Sequence, residues 1–284
     1  MTNLLKGTPL AENIKNQIRK LIQEENLYPR LDVILVGENP ASEIYVRKKE
    51  EACKSVGIQS QVHHFNVDQQ RKVMNMLEFL YSHDPCNGIL VQLPLPDGWD
   101  DFKIFDYINP LKDVDVFHPE NIGLLVQNRP RFLPPTPRGI RELILGNGLT
   151  LFGQHVVVIN RSNVVGKPLS SMLIQDNGAF ANSTVTVCHI NTPPERLKQI
   201  CLTADIIVVA VGIPNFLTAD MVKENQIIID VGINRIEGKV VGDTHPEILD
   251  KVGSITPVPG GVGPMTVAML LYNTVEAARL QNVK

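Results

Sequence analysis

Six short, largely apolar runs rich in valine and isoleucine constrain this chain more than any other feature: 31–36, 88–91, 155–159, 184–188, 206–211 and 227–231. Between them lie segments whose apolar residues recur at helical spacing. Strands that are apolar throughout are covered on both faces, and in the first third they are separated by helices of 12 to 15 residues. Such strands connect as βαβ crossovers in a parallel sheet. The expected fold is therefore α/β, with two domains that each carry a mainly parallel sheet with helices on both faces. The C-terminal one is expected to be Rossmann-like.

In the first third, Thr8-Pro9 has the form of an N-cap followed by proline at the first helical position. Leu10, Ile14, Ile18, Leu21 and Ile22 mark one apolar helical face. Ser42 is the expected cap of a second helix running to about Val56, with Gly57 as its stop. A strand over 58–67 and a helix from about Gln69, with Val73, Met76, Leu77 and Leu80 on one side, follow. The pattern breaks around 109–139, where 129–137 holds four prolines in nine residues. That segment cannot sit inside a helix or central strand and reads as an interdomain connection. In the second series, helices are predicted near 165–176, over 194–202 and over 218–224. Glu237-Gly238 marks a tight turn within a hairpin, and a last helix is predicted over 265–280.

Length and composition exclude several classes. At 284 residues the prior is about two domains, and a net charge of −3 excludes the broadly basic surface of a nucleic-acid binder. No apolar run reaches the ~18 residues of a membrane span. The first residues lack a signal peptide's apolar core and carry Glu12, which a mitochondrial presequence would avoid. Cys53, Cys86, Cys188 and Cys201 have no metal-type spacing and read as reduced thiols of a cytoplasmic protein, with no metal site expected.

The first strand-to-helix turn of the second series, residues 159–168, is where a doubly wound sheet binds a ligand. It is not GxGxxG. Asn160 tolerates left-handed backbone angles, and Ser162 can cap a helix whose free N–H groups face a phosphate. Arg161 and Lys167 add positive charge, although an ordinary capping loop would read the same way. The end of the next strand, 188–192, offers no acid to hold a ribose diol, which with Arg161 leans towards NADP and leaves NAD open. In the first domain, Tyr45 and Lys49 lie four apart on one helix face with Ala52 and Val56. A lysine on an apolar face is buried, paired or functional, unless its stem snorkels to water. Gln92 follows a strand, and Asp113 and Asp115 follow a loop after Pro110. Spacing alone leaves open whether these side chains converge.

Tyr45-Val-Arg-Lys-Lys49, Gly88-Ile-Leu-Val-Gln-Leu-Pro-Leu-Pro96, Lys112-Asp-Val-Asp115 and Thr256-Pro-Val-Pro-Gly-Gly-Val-Gly-Pro-Met-Thr266 occur in that order. Together they resemble the bifunctional methylenetetrahydrofolate dehydrogenase/methenyltetrahydrofolate cyclohydrolases of one-carbon metabolism, over nearly the whole chain. The resemblance implies oxidation of 5,10-methylenetetrahydrofolate with NADP⁺ and hydrolysis of the methenyl product to 10-formyltetrahydrofolate, a step towards purine biosynthesis. It implies that Lys49 is the essential lysine, that Gln92 positions it, that Tyr45 stacks on the folate ring and that Asp115 grips the amino-pyrimidine edge. Val91, Leu93, Pro259, Gly260, Gly261, Val262 and Gly263 would complete the folate site. Asn160, Arg161, Ser162, Gly166, Ile190 and Ile233 would line the dinucleotide site.

It further implies a homodimer formed through the dinucleotide domain, and a cleft between domains where folate and dinucleotide meet. The last helix is expected to fold back onto the first domain, giving domains of 1–121 with 266–284 and of 122–265. The chain ends after that helix and is expected to lack the synthetase domain of some relatives. Four positions depart from the family pattern. Val116 stands for a glycine, Pro135 for a cysteine, Asn160 for the glycine opening the cofactor turn, and Ile190 for a serine of some members. The other readings are a monofunctional NAD-dependent dehydrogenase, a cyclohydrolase alone, and a folate- or nucleotide-binding regulatory module. Lys49 argues against the last, because a pure binder does not need it.

Overall fold

The computed structural model describes residues 2–83 and 85–282. In chain order the elements are β1 (Asn3–Leu4), α1 (Gly7–Glu24), β2 (Arg30–Val36), α2 (Pro40–Val56), β3 (Gln59–Phe65), α3 (Gln70–Ser82) and β4 (Gly88–Val91). Then come α4 (Asp101–Phe105), α5 (Pro119–Val126), α6 (Pro135–Gly146), β5 (His155–Ile159), α7 (Gly166–Leu173), β6 (Thr184–Cys188), α8 (Pro194–Thr203) and β7 (Ile206–Val209). The chain closes with β8 (Ile227–Asp230), β9 (Asn234–Ile236), β10 (Lys239–Val241), β11 (Ser254–Ile255) and α9 (Val262–Asn282). These form two compact units, one from Met1–Ala11 and Thr136–Thr266, the other from Glu12–Pro135 and Val267–Lys284.

The second of these units is built on a three-stranded parallel sheet, order β3-β2-β4. Val33 and Leu35 face one apolar cluster with Val46, Cys53, Val56, Leu270 and Val275. Ile34 and Val36, on the opposite face, pack with Val73, Leu77, Ile89 and Ile104. Alternate residues of one strand thus feed two cores, which is why β2 is apolar along most of its length. The exception is Asp32, fully buried, which accepts bidentate hydrogen bonds from Arg30 and lies 2.7 Å from His63 Nε2. Burial alone would raise its pKa, but the Arg30 and His63 donors hold it below the usual carboxylate range.

The other unit carries a six-stranded, all-parallel sheet, order β1-β11-β8-β7-β5-β6, so the parallel α/β expectation holds. The hairpin is also present. β9 and β10 pair antiparallel around Glu237 (φ 49°) and Gly238 (φ 78°), the two left-handed positions of a type I′ turn.

Several local expectations are corrected. Asn39, not Ser42, caps α2, its side chain accepting from the Ala41 and Ser42 amides ahead of Pro40. Gly57 ends that helix at φ 87°, as expected. The proline-rich segment does enter a helix, because α6 starts at Pro135; proline in a first turn gives up an N–H that has no helical partner. Residues 218–224 form only a single 3-10 turn, Ala219–Met221, since so short a segment cannot support a costly helical nucleus.

Candidate active site

The α2 helix and the end of β4 place two side chains of the sequence motifs in contact. Lys49 Nζ donates to Gln92 Oε1 at 3.1 Å. Gln92 Nε2 is occupied by the Leu93 carbonyl, 2.7 Å away, which fixes the amide so that its oxygen faces the lysine. Burial lowers the Lys49 pKa below the ordinary lysine value, while the Asp115 carboxylate opposes that shift. Asp115 is displaced the other way. Desolvation pushes its carboxyl up to about 6 despite the attraction of Lys49, with Asp113 adding to the rise. Tyr45 lies one helical turn before Lys49 and is half-buried. Val91 is 1% exposed and belongs to the core, and Leu93 packs against the same cluster.

Asp115 is presented by a tightly held turn. The fully buried Asp113 carboxylate accepts from the Phe117 and His118 amides at 3.0 and 2.9 Å and from Asn121 Nδ2 at 2.8 Å. Asn273 of α9 donates to the Val114 and Leu133 carbonyls at 2.9 and 2.8 Å. Between them, Val116 adopts φ 66° while its side chain is buried in the core. A β-branched residue in the left-handed region is a strained conformation that glycine takes freely. Val116 thus stores strain immediately beside Asp115.

The glycine-rich segment belongs to the unit with the six-stranded sheet. Gly260, at φ 106°, accepts from the amides of Gly7 and Thr8 at 2.9 and 3.2 Å, closing the first turn of α1. Gly261 has no room for a side chain, since a Cβ would lie 2.6 Å from the Pro257 carbonyl oxygen. Pro259 is exposed, Gly263 half-buried and Val262 buried.

The turn after β5 differs in detail from its sequence reading. Asn160 is not left-handed; it works through its side chain. Its Oδ1 accepts from the Ser162 and Gly166 amides at 2.7 and 2.9 Å, and its Nδ2 donates to the Ala210 carbonyl. Ser162 does not cap α7. Its hydroxyl accepts from Val165 N at 3.0 Å, one residue before the helix. The amides of Ser162, Val165, Gly166 and Lys167 are therefore engaged within the turn. A methyl group on Gly166 would collide with the Asn160 carbonyl oxygen, so this position admits only glycine. Arg161 is exposed, as is Lys167, whose ammonium donates to Asn163 Oδ1 at 2.7 Å. Ile190 and Ile233, 58% and 47% exposed, follow the carboxyl ends of β6 and β8.

Two buried carboxylates at that edge were missed in the sequence. Asp230 accepts from the amides of Gly232, Asp243 and Thr244 and from the Thr244 hydroxyl, at 2.7–3.0 Å. Asp243 accepts from the amides of Val211 and Gly212 and from Asn234 Nδ2. The available signal was an acid ending an otherwise apolar strand, IIID, and a Gly-Asp pair directly after the hairpin.

Two family models match the chain: the tetrahydrofolate dehydrogenase/cyclohydrolase catalytic domain over residues 5–115, and the NAD(P)-binding domain of the same family over 134–282. A bifunctional protein FolD from Sulfurihydrogenibium sp. is 51% identical over 280 residues, covering 96% of each chain. The crystal structure of the bifunctional FolD methylenetetrahydrofolate dehydrogenase/cyclohydrolase from Campylobacter jejuni superposes with a TM-score of 0.93 at 44% identity, over 99% of each chain. The Trypanosoma brucei methylenetetrahydrofolate dehydrogenase-cyclohydrolase, complexed with NADP and an inhibitor, gives 0.92 at 30% identity, over 100% of this chain and 99% of that one. The chain belongs to the tetrahydrofolate dehydrogenase/cyclohydrolase family. It is an NAD(P)-binding enzyme of one-carbon metabolism, a methylenetetrahydrofolate dehydrogenase and a methenyltetrahydrofolate cyclohydrolase. Among the described residues no helix is long and apolar enough to cross a membrane, and no group of histidines, cysteines and acids could hold a metal ion.

Proposed function

We propose that Lys49, Gln92, Tyr45 and Asp115 form the folate-binding and cyclohydrolase site. The observation that carries this is the 3.1 Å contact of Lys49 with an amide already oriented by the Leu93 carbonyl. Burial that lowers the Lys49 pKa makes its neutral, proton-accepting form easier to reach than in an ordinary lysine. Water adds to the methenyl carbon, and neutral Lys49 takes the proton released. The adduct opens by breaking its bond to N5, which receives the proton back from Lys49, while the adduct hydroxyl loses its own proton to water and becomes the formyl group. One proton is released overall. Tyr45 offers an aromatic face to the cationic ring system. Asp115, ionised above about pH 6, grips the amino-pyrimidine edge with two oxygens. Val91 and Leu93 support the strand end from the core.

Replacing Lys49 tests the reading directly. Lys49→Ala is expected to abolish conversion of methenyl- to formyltetrahydrofolate with the fold intact, and unchanged turnover would refute the assignment.

We assign the dinucleotide to the carboxyl edge of the six-stranded sheet and take it to be NADP. Arg161 and Lys167 are exposed cations suited to phosphates, no acid follows β6, and Ile190 and Ile233 supply apolar surface for flat rings. Asn160, Ser162 and Gly166 form the tight turn beneath them. When bound, oxidised NADP accepts a hydride; the chain's residues supply orientation, which needs no protein acid or base.

We further infer a homodimer through this unit, in a cytoplasmic enzyme whose product feeds purine biosynthesis. Support for the dimer comes from β6, an edge strand with exposed Val187, flanked by exposed Ile174 and Phe180. Light scattering that finds a monomer at micromolar concentration would exclude it.

A further inference from the structure

In the six-stranded sheet β5 and β7 are neighbours, yet the chain between them visits β6 on the far side of β5 and returns. Such a reversal leaves a crevice at the carboxyl ends of the two strands. Its walls are the turn 160–166 and the segment that begins at Ala210, and both are held by side chains rather than by regular structure. Asn160 Nδ2 donates to the Ala210 carbonyl from one side. From the other, Asp243 Oδ2 receives the amides of Val211 and Gly212 at 2.7 and 3.0 Å. The peptide joining Ala210 to Val211 is therefore gripped at both of its polar ends.

The next peptide is gripped at its N–H alone. Because a trans peptide is planar, the Val211 carbonyl points away from the Asp243 carboxylate. Gly212, exposed at φ 68°, adds no side chain to block it. Asp243 itself cannot swing. It is fully buried, its other oxygen accepts from Asn234 Nδ2 at 2.8 Å, and its own amide donates to Asp230 at 2.9 Å. Charge-assisted bonds of this kind are about twice as strong as neutral ones.

We propose that Asp243 is a positioning residue for the dinucleotide: it fixes the Val211–Gly212 backbone so that the Val211 carbonyl receives a hydrogen bond from the ligand's carboxamide. This rests on the assignment of the dinucleotide to this edge. Asp243 touches the loop and not the ligand, so its effect is specific to the dehydrogenase half-reaction. The cyclohydrolase half, started from methenyltetrahydrofolate, uses no dinucleotide and is an internal control.

Asp243→Asn keeps the size but leaves one acceptor oxygen for donors on two sides and removes the charge from the bonds that hold the loop amides. It is expected to raise the KM for NADP⁺ about tenfold, with kcat and KM of the cyclohydrolase within about twofold of the parent. Thr244→Val, which removes a hydroxyl from Asp230 only, lowers the thermal midpoint without moving that KM. Parallel loss of both activities, an unchanged KM for NADP⁺, or an equal rise in Thr244→Val would each overturn the proposal. Arg161→Ala separates the proposal from the reading beneath it. If it raises the KM and Asp243→Asn does not, the positioning role alone fails; if neither does, the dinucleotide assignment fails as well. Should Asp243→Asn not fold, Asn234→Ala, which frees one Asp243 oxygen, is read by the same criteria with a rise of about threefold expected.

Discussion

Replacing Asp115 by asparagine should make the enzyme more stable and a poorer binder of folate, and the gain should depend on pH in a defined way. The carboxyl titrates at an ordinary 3.8 in the unfolded chain and near about 6 in the folded one. A raised carboxyl pKa means that the folded state holds its proton longer, so stability is greatest below 3.8 and falls as pH rises to about 6. Above that point the ionised group costs about 3 kcal/mol, from ~1.36 kcal/mol for each pH unit between the two values. At pH 5 only the interval above the unfolded value counts, and the cost is about 1.6 kcal/mol. Asparagine has no such titration. The difference in unfolding free energy between Asp115→Asn and the parent should therefore move by about 1.4 kcal/mol in the variant's favour between pH 5 and pH 7.5. The attraction to Lys49 is already contained in the folded-state value, so its loss needs no separate correction. Urea unfolding of both proteins at the two pH values measures the change. A difference that is flat with pH would show that Asp115 is not desolvated, and unaltered folate affinity in the variant would contradict its role as a ligand.

Arg161→Ala should raise the KM for NADP⁺ more than that for NAD⁺ if its exposed guanidinium holds the 2′-phosphate as proposed; steady-state kinetics with the two dinucleotides decide it, and equal effects would remove the basis for NADP preference. At Val116 the usual order of small residues should invert. Val116→Gly and Val116→Ala both lose core contacts, but only alanine keeps the left-handed penalty, so the glycine variant should be more stable by about 1 kcal/mol. Denaturant midpoints test this, and the reverse order would mean that the turn relaxes when the side chain is cut back.

Much of this architecture could be read in the chain because apolar periodicity reports burial directly. The β2, β4 and β5 runs and the helical face of Lys49 follow from it. What escaped was set by partners distant in sequence. β1 and β11 are two residues each and become strands only by pairing with the sheet. Asn160 suggested backbone freedom, whereas its amide stitches the turn to residue 210. Asp230 and Asp243 go unmarked because nothing local announces a carboxylate satisfied by backbone amides up to 32 residues away. Val116 is marked only as standing for a glycine; its left-handed backbone is not read, since β-branched residues avoid the conformation that the Asp113 clamp and the core impose on it.

The closure of α1 by Gly260 has a consequence for how the protein is made. Asn3 and Leu4 pair with Ser254 and Ile255, and the Gly7 and Thr8 amides wait for a carbonyl about 250 positions later. On the ribosome β1 thus precedes most of its sheet yet is placed late, its edge and the helix start behind it unsatisfied until residues 254–260 have been made. Contacts of such separation slow folding. The six-stranded unit can close only after synthesis has passed the glycine-rich segment, although most of its strands are made earlier.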